Sequence, residues 1–129
     1  MLKVSESMRV LVVDDNRDIL ESLSMVIELL GHQVEMVDNG EAALECLKAR
    51  PPHIALIDVS LPTISGYEVA RRARGDGASG STTRLVAMTG WGREEDRIRA
   101  LDAGFDAHVL KPLDLQRLRE LLDGSHLTV

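Results

Sequence analysis

Asp14 and Asp15 follow the apolar run Arg9-Val-Leu-Val-Val13, and Asp58 follows Ile54-Ala-Leu-Ile57. Thr89 ends the run Arg84-Leu-Val-Ala-Met88, and Lys111 follows Ala107-His-Val-Leu110. Carboxylates with no histidine or cysteine beside them are hard oxygen ligands, which suit Mg²⁺, with Mn²⁺ as its substitute, far better than zinc. Magnesium is usually held by one or two carboxylates together with phosphate oxygens, so the same set invites a phosphoryl group. The ammonium of Lys111 can neutralise one phosphoryl oxygen and the hydroxyl of Thr89 can donate to another. Asp58 is then a candidate nucleophile, because a carboxylate can form an aspartyl phosphate in a transfer that needs mainly alignment and charge neutralisation. Taken singly, each Asp is a cap or turn former, Thr89 a turn residue and Lys111 a solvated charge. Together, five suitable residues at the ends of four apolar runs are not five separate accidents.

Short runs rich in Val, Ile and Leu read as strands buried on both faces of a parallel sheet, whose carboxyl ends line one edge. Three carboxylates meeting there repel, since two like charges about 4 Å apart cost roughly 4 kcal/mol at an effective dielectric near 20. A cation belongs among them. Between the strands lie helical patterns. Asn16 caps a helix carrying Ile19, Leu20, Leu23, Ile27 and Leu30 and ending at Gly31. Gln33 to Val37 reads as a second strand, and Asn39 caps a helix from Glu41 to Ala49 that Pro51-Pro52 stops. After Asp58, Leu61 to Gly66 is a loop in which Ser65 caps a helix to about Arg74, and Gly75 to Ser81 is a flexible turn region. A helix from Glu94 to Ala103, closed by Gly104, is heavily charged and offers only Ile98 and Leu101 as large apolar residues, so its grip on the core should be weak. Asp114 caps a last helix that should bury Leu115, Leu118, Leu121 and Leu122. Five strand-then-helix units imply an α/β fold, an open parallel sheet with helices on both faces and its ligand chemistry at the carboxyl edge.

The 129 residues make one ordinary domain, and 44% hydrophobic with 28% charged residues suffices for a single core. A formal charge of −6 argues against direct binding of nucleic acid or an anionic membrane. Cys46, the sole cysteine, reads as a small buried hydrophobe in a reducing compartment. No apolar stretch approaches the roughly 20 residues that span a bilayer, and no signal-peptide core is present, so membrane insertion is not expected and the chain reads as cytoplasmic. Residues 1–8 read as a flexible leader, 9–124 as the domain and 125–129 as a short tail.

On Val12-Val-Asp-Asp-Asn16, Leu56-Ile-Asp58 followed by Leu61-Pro62 and Gly66, Ala87-Met-Thr89, Ala103-Gly104 and Leu110-Lys-Pro112, the chain resembles the receiver domain of bacterial two-component response regulators. The resemblance runs from Arg9 to Leu122. It implies a flavodoxin-like (βα)5 fold with strand order 2-1-3-4-5, and it implies a signalling domain that assists its own phosphorylation and dephosphorylation, not an enzyme. By the same resemblance Asp58 accepts a phosphoryl group from a histidine kinase or a histidine phosphotransfer domain. Asp15, Asp58 and the backbone carbonyl of Ser60 hold Mg²⁺ directly, and Asp14 helps through a bound water. Thr89 moves toward the phosphoryl oxygens, Lys111 pairs with them, and a cis Lys111-Pro112 bond aims the lysine. The face of the fourth helix with the fifth strand and fifth helix meets a downstream partner, and the chain acts as a monomer or weak dimer.

Where relatives generally carry Tyr or Phe as a switch ring, this chain has His108, whose charge is pH-sensitive near neutrality. Trp91, two residues past Thr89, stands where relatives control access to the phosphorylation site. The Gly90-Trp-Gly92 turn and the Glu94-Glu-Asp96 opening are similar to receiver modules of hybrid sensor histidine kinases, so a single-domain regulator and a hybrid-kinase module both fit. Competing classes fit less well. An Asp-nucleophile phosphatase of the haloacid dehalogenase type needs a second acid where Ser60 stands. A flavin binder needs a phosphate loop that Asp14 and Asp15 would repel, and aromatic flanks in a chain only 2% aromatic. A degenerate receiver that only binds partners is the remaining alternative, and the full acidic, Thr and Lys set argues against it.

Overall fold

The computed structural model describes residues 7–75 and 82–123. The expected turn at 76–81, residues 1–6 of the expected leader and the expected tail at 125–129 lie outside the described residues. Five strands, β1 (Arg9–Val13), β2 (Gln33–Val37), β3 (Ile54–Asp58), β4 (Arg84–Thr89) and β5 (Ala107–Leu110), alternate with α1 (Arg17–Leu29), α2 (Gly40–Ala49), α3 (Gly66–Gly75), α4 (Glu94–Ala103) and α5 (Leu115–Asp123). The sheet is parallel in the order β2-β1-β3-β4-β5. This is the flavodoxin-like arrangement that the sequence pattern and resemblance implied.

Right-handed crossovers fix where the helices go. The step from β1 out to β2 runs opposite to every later step, so α1 lies on one face and α2, α3 and α4 on the other; the terminal α5, which makes no crossover, packs on the α1 face. The two buried clusters follow that division. Val10, Val12, Leu56 and Met88 face Leu20 and Ile27 of α1 and Leu118 and Leu121 of α5. Leu11, Val13, Ile57 and Leu85 face Leu47, Val69, Ala70 and Ala100 of the other helices. Central β3 is buried along its whole length, whereas edge strand β2 is mostly exposed or half-buried, as an edge with one open flank must be.

The helix starts are capped as their residue types dictate. Asn16, Asn39, Ser65 and Asp114 accept backbone N–H bonds from Ile19, Ala42, Glu68 and Arg117 at 3.2, 2.8, 3.2 and 2.7 Å. α4 is the exception: Arg93 precedes it and makes no side-chain cap bond. Only Ala100 and Ala103 of that helix are buried, and Ile98 and Leu101, the apolar residues expected to anchor it, are 47% and 45% exposed. Small side chains remove little apolar area from water, so the grip is weaker than the sequence alone implied. Two other burial expectations need correction. Leu115 is 52% exposed because it opens α5 at the rim, and Cys46 is half-buried with its thiol directed at Glu35 Oε2. Burial and that carboxylate raise the thiol pKa to about 11, so Cys46 is a weakly acidic group.

The loop between β3 and α3 contains one strained residue. Thr63 has φ 70°, in the left-handed region that costs an L side chain roughly 1–2 kcal/mol and that Asn tolerates better. Its side chain is exposed. Thr63→Asn should therefore raise the unfolding free energy by about 1 kcal/mol, read as a higher denaturant midpoint at unchanged slope. A lower midpoint contradicts the strain.

Candidate functional site

Strand register brings the chemical residues to one edge. Val13 is paired with Ile57, so Asp14 and Asp58 each stand one residue further on and come level across the β1–β3 boundary. That boundary is also where the chain reverses its direction of travel across the sheet, the crevice in which open α/β sheets bind ligands. Asp58 is paired with Met88 and Thr89 with Leu110, which sets Thr89 and Lys111 one further step along the same edge. The Lys111 backbone N–H donates to the Thr89 carbonyl at 2.8 Å, tying the two together.

Asp14, Asp15 and Asp58 each offer a carboxylate oxygen within 4.8 Å of the others. Asp14 and Asp58 are buried, at 0% and 3% exposure, and Asp15 is exposed. Asp14 Oδ1 accepts the Asn16 backbone N–H at 2.9 Å, and Asp58 Oδ1 accepts that of Ser60 at 3.0 Å. Lys111 Nζ reaches between them, 2.9 Å from Asp14 Oδ2 and 3.5 Å from Asp58 Oδ2. The approach to Asp14 is an ion pair by distance but oblique to a hydrogen bond, so this buried oxygen has no directed donor.

Burial pushes the Asp58 carboxyl above the usual carboxylate range, and the charge of Asp14 adds to that. The Ser60 N–H and the Lys111 ammonium pull in the opposite direction without prevailing. For Lys111 the balance is reversed: burial disfavours its charge, but Asp14 and Asp58 more than offset this and hold its pKa above the ordinary lysine value. One ammonium thus pairs with two of the three carboxylates. The donors are all hard oxygens, one buried oxygen lacks a directed partner, and Asp58 resists carrying its charge. This set fits a small divalent cation with oxygen preference, such as Mg²⁺.

Thr89 is buried, and its Oγ1 accepts the Trp91 backbone N–H at 3.1 Å. The Trp91 ring is 63% exposed with the Arg93 guanidinium 5.2 Å from its centre. The Lys111–Pro112 peptide is cis. His108 is half-buried on β5, and its Nε2 is buried without a hydrogen-bond partner. Burial lowers its pKa, with Asp96 opposing and Arg97 reinforcing the effect. Ser60, exposed, follows Asp58 by two residues. Every site residue named from the sequence except His108 lies at or next to this edge. The Asn16, Ser60 and Trp91 backbone N–H groups, which orient Asp14, Asp58 and Thr89, were not read from the sequence, because a backbone donor leaves no trace in residue type.

The sequence model of the response regulator receiver domain matches residues 10–123. Response regulator MprA of Mycobacterium tuberculosis is 35% identical over 112 residues, covering 87% of this chain and 47% of that protein. MprA of Mycobacterium ulcerans is 35% identical over 125 residues, covering 94% and 53%. The chain thus spans about half the length of these curated relatives. Among solved structures, a CheY-like receiver domain protein from Methanospirillum hungatei JF-1 is 28% identical with a TM-score of 0.81, covering 92% of each chain. The receiver domain of the sensor histidine kinase PA1611 from Pseudomonas aeruginosa PAO1, solved with magnesium in its active-site cleft, is 25% identical with a TM-score of 0.83, covering 92% of this chain and 96% of that one.

The site's charge balance predicts a coupling between Lys111 and Asp14. Removing one partner of a buried pair strands the other charge, at a cost of about 3 kcal/mol or more. Lys111→Met should cost on the order of 3 kcal/mol in metal-free denaturation, and less than half of that in an Asp14→Asn background. Equal losses in both backgrounds would contradict the pairing.

Proposed function

Because the chain belongs to the response regulator receiver domain family of two-component signalling, we propose that Asp58 is its phosphoacceptor. One observation carries this reading: three carboxylates, Asp58 among them, and one ammonium converge at the switch point of the sheet. The donor is a phosphohistidine on a histidine kinase or a phosphotransfer domain. A carboxylate oxygen of Asp58 attacks the phosphorus, the P–O bond forms as the P–N bond breaks, and the released imidazole takes up a proton. The site's own residues do the positioning. Ser60 N–H holds one Asp58 oxygen, Lys111 is placed to pair with an oxygen of the arriving phosphoryl group, and Thr89 has its hydroxyl proton free to donate because its oxygen already accepts from Trp91.

Asp14, Asp15, Asp58 and the Ser60 carbonyl are the groups that would hold Mg²⁺, or Mn²⁺ in its place. When bound, the ion supplies the positive charge that brings an anionic phosphoryl group against an anionic carboxylate.

The donor domain docks beside the site. A groove of about 740 Å³ between α1 and the start of α5 reaches Lys111 and is lined by Ile19, Leu23, Val26, Pro112, Leu113 and Leu118, an apolar surface next to the acceptor. The message leaves by α4. Its uncapped start, its burial of no large side chain and the exposed Ile98, Leu101 and Leu110 support a switching surface around α4, β5 and α5, with Thr89 and His108 as the moving residues behind it. We assign the receiver to residues 9–124, working either alone or as the receiver of a hybrid kinase, in the cytoplasm and as a monomer or weak dimer. No helix among the described residues is long and apolar enough to cross a membrane.

Incubation with Mg²⁺ and acetyl phosphate should add one phosphoryl group by intact mass, and Asp58→Asn should abolish the gain. An Asp58→Asn protein that still gains it places the acceptor elsewhere.

A further inference from the structure

Resting on that reading of the site, we propose that Gly66 is a positioning residue for phosphorylation: the absence of a side chain there sets the turn that presents Asp58 and the Ser60 carbonyl. Gly66 opens α3, and its φ is not in the left-handed region, so conformational freedom does not explain a glycine here. Space does. A Cβ at Gly66 would lie 2.4 Å from the Asp58 carbonyl oxygen, 2.7 Å from Val59 Cα and 3.0 Å from the Asp58 carbonyl carbon. All three are backbone atoms, which cannot swing aside as a side chain does.

The other described glycines differ. Gly75 and Gly90 face open space, and a Cβ at Gly40 would meet only the side chains of Ile64 and Val69. At Gly104 the near atom is Arg74 Cγ at 2.7 Å, again a side chain. Gly66 alone among them presses on the backbone of the candidate site.

That backbone is held from both sides. The Gly66 N–H donates to the Val59 carbonyl at 3.1 Å, the Val59 N–H donates to the Met88 carbonyl at 3.1 Å, and the Ser60 N–H bonds Asp58 Oδ1 at 3.0 Å. β3 cannot retreat, because β1 and β4 are paired to it on either flank. α3 is seated by the fully buried Val69 and Ala70. The relief of a new Cβ therefore falls on the turn from Asp58 to Ser60. That turn carries the acceptor carboxylate and the carbonyl proposed to face the metal, and shifts of this kind cost ligation and alignment steeply. Gly66 itself touches neither metal nor phosphoryl group.

The test compares Gly66→Ala with Gly104→Ala, a substitution strained by the left-handed φ of 111° at Gly104 and placed at the opposite edge of the sheet. Mg²⁺ affinity is read from the rise of the thermal midpoint with Mg²⁺, and phosphorylation from intact mass after acetyl phosphate. Gly66→Ala should weaken Mg²⁺ binding roughly tenfold and slow labelling at subsaturating Mg²⁺, whereas Gly104→Ala should lower the midpoint and leave Mg²⁺ affinity unchanged. Wild-type affinity in Gly66→Ala, or an equal loss in Gly104→Ala, overturns the proposal. If Gly66→Ala is too unstable to hold its fold, the same comparison is made with Thr63→Asn added to every protein. In the wild type, Mg²⁺ should also slow hydrogen exchange of the Gly66 amide, and an unaffected amide overturns the coupling without any variant. A wild-type protein that neither responds to Mg²⁺ nor is labelled at Asp58 removes the reading of the site itself. A responsive wild type with an unaltered Gly66→Ala removes only the role of Gly66.

Discussion

Like-charge crowding at the carboxyl edge of a parallel sheet is the constraint around which this molecule is organised. Three carboxylates meet within 4.8 Å and two are buried, while a single ammonium lies among them. At such separations each uncompensated pair costs a few kcal/mol even at the moderate effective dielectric of a protein interior. Folding alone would not favour this arrangement, and nothing in the core needs it. It persists because the rest of the fold supplies what holds it: a central strand paired on both flanks, a reversal of chain direction between β1 and β3, and the backbone N–H groups of Asn16 and Ser60 that orient two of the acids. An arrangement that is unfavourable until positive charge arrives is poised to respond to a cation and then to a phosphoryl group.

The same logic separates a densely buried part of the molecule from a lightly anchored one. β3 and its neighbours are buried throughout, and Asp58 is fixed by Ser60 N–H, by the β4 ladder and by the close approach of Gly66. α4 buries only two alanines, has the Arg99 guanidinium over the Tyr67 ring of α3 and lacks a side-chain cap. Thr89 Oγ1 accepts the Trp91 N–H, so the buried hydroxyl beside the acids is tied to the segment that enters α4.

Much of this was legible in the sequence, for physical reasons. Buried parallel strands are continuous apolar runs, so their ends are marked by the first charged residue, and Asp14, Asp58 and Lys111 do come together at one edge. Asn16, Asn39, Ser65 and Asp114 could be read as caps because their side chains do what an isolated helix end requires. What could not be read depends on distance across the fold. Leu115 looks like a core residue by helical spacing, yet it lies at the exposed rim of α5; Cys46 meets Glu35 from another element. Ile98 and Leu101 are apolar residues that the packing of α4 leaves half in water. The left-handed Thr63 and the backbone contact at Gly66 belong to a loop whose path no local pattern specifies.

The electrostatic account is tested most directly by the unfolding free energy of wild type and Asp15→Asn as Mg²⁺ is titrated from a metal-free buffer. Asp15 is exposed, so its neutralisation leaves no buried group without a partner and isolates the repulsion. Without metal the variant should be as stable as wild type or more so; with Mg²⁺ at about a hundredfold excess over its dissociation constant, wild type should gain about 2.7 kcal/mol while the variant gains little, and the order of the two proteins inverts. A variant that is clearly less stable without metal, or that keeps the full Mg²⁺ gain, contradicts the account.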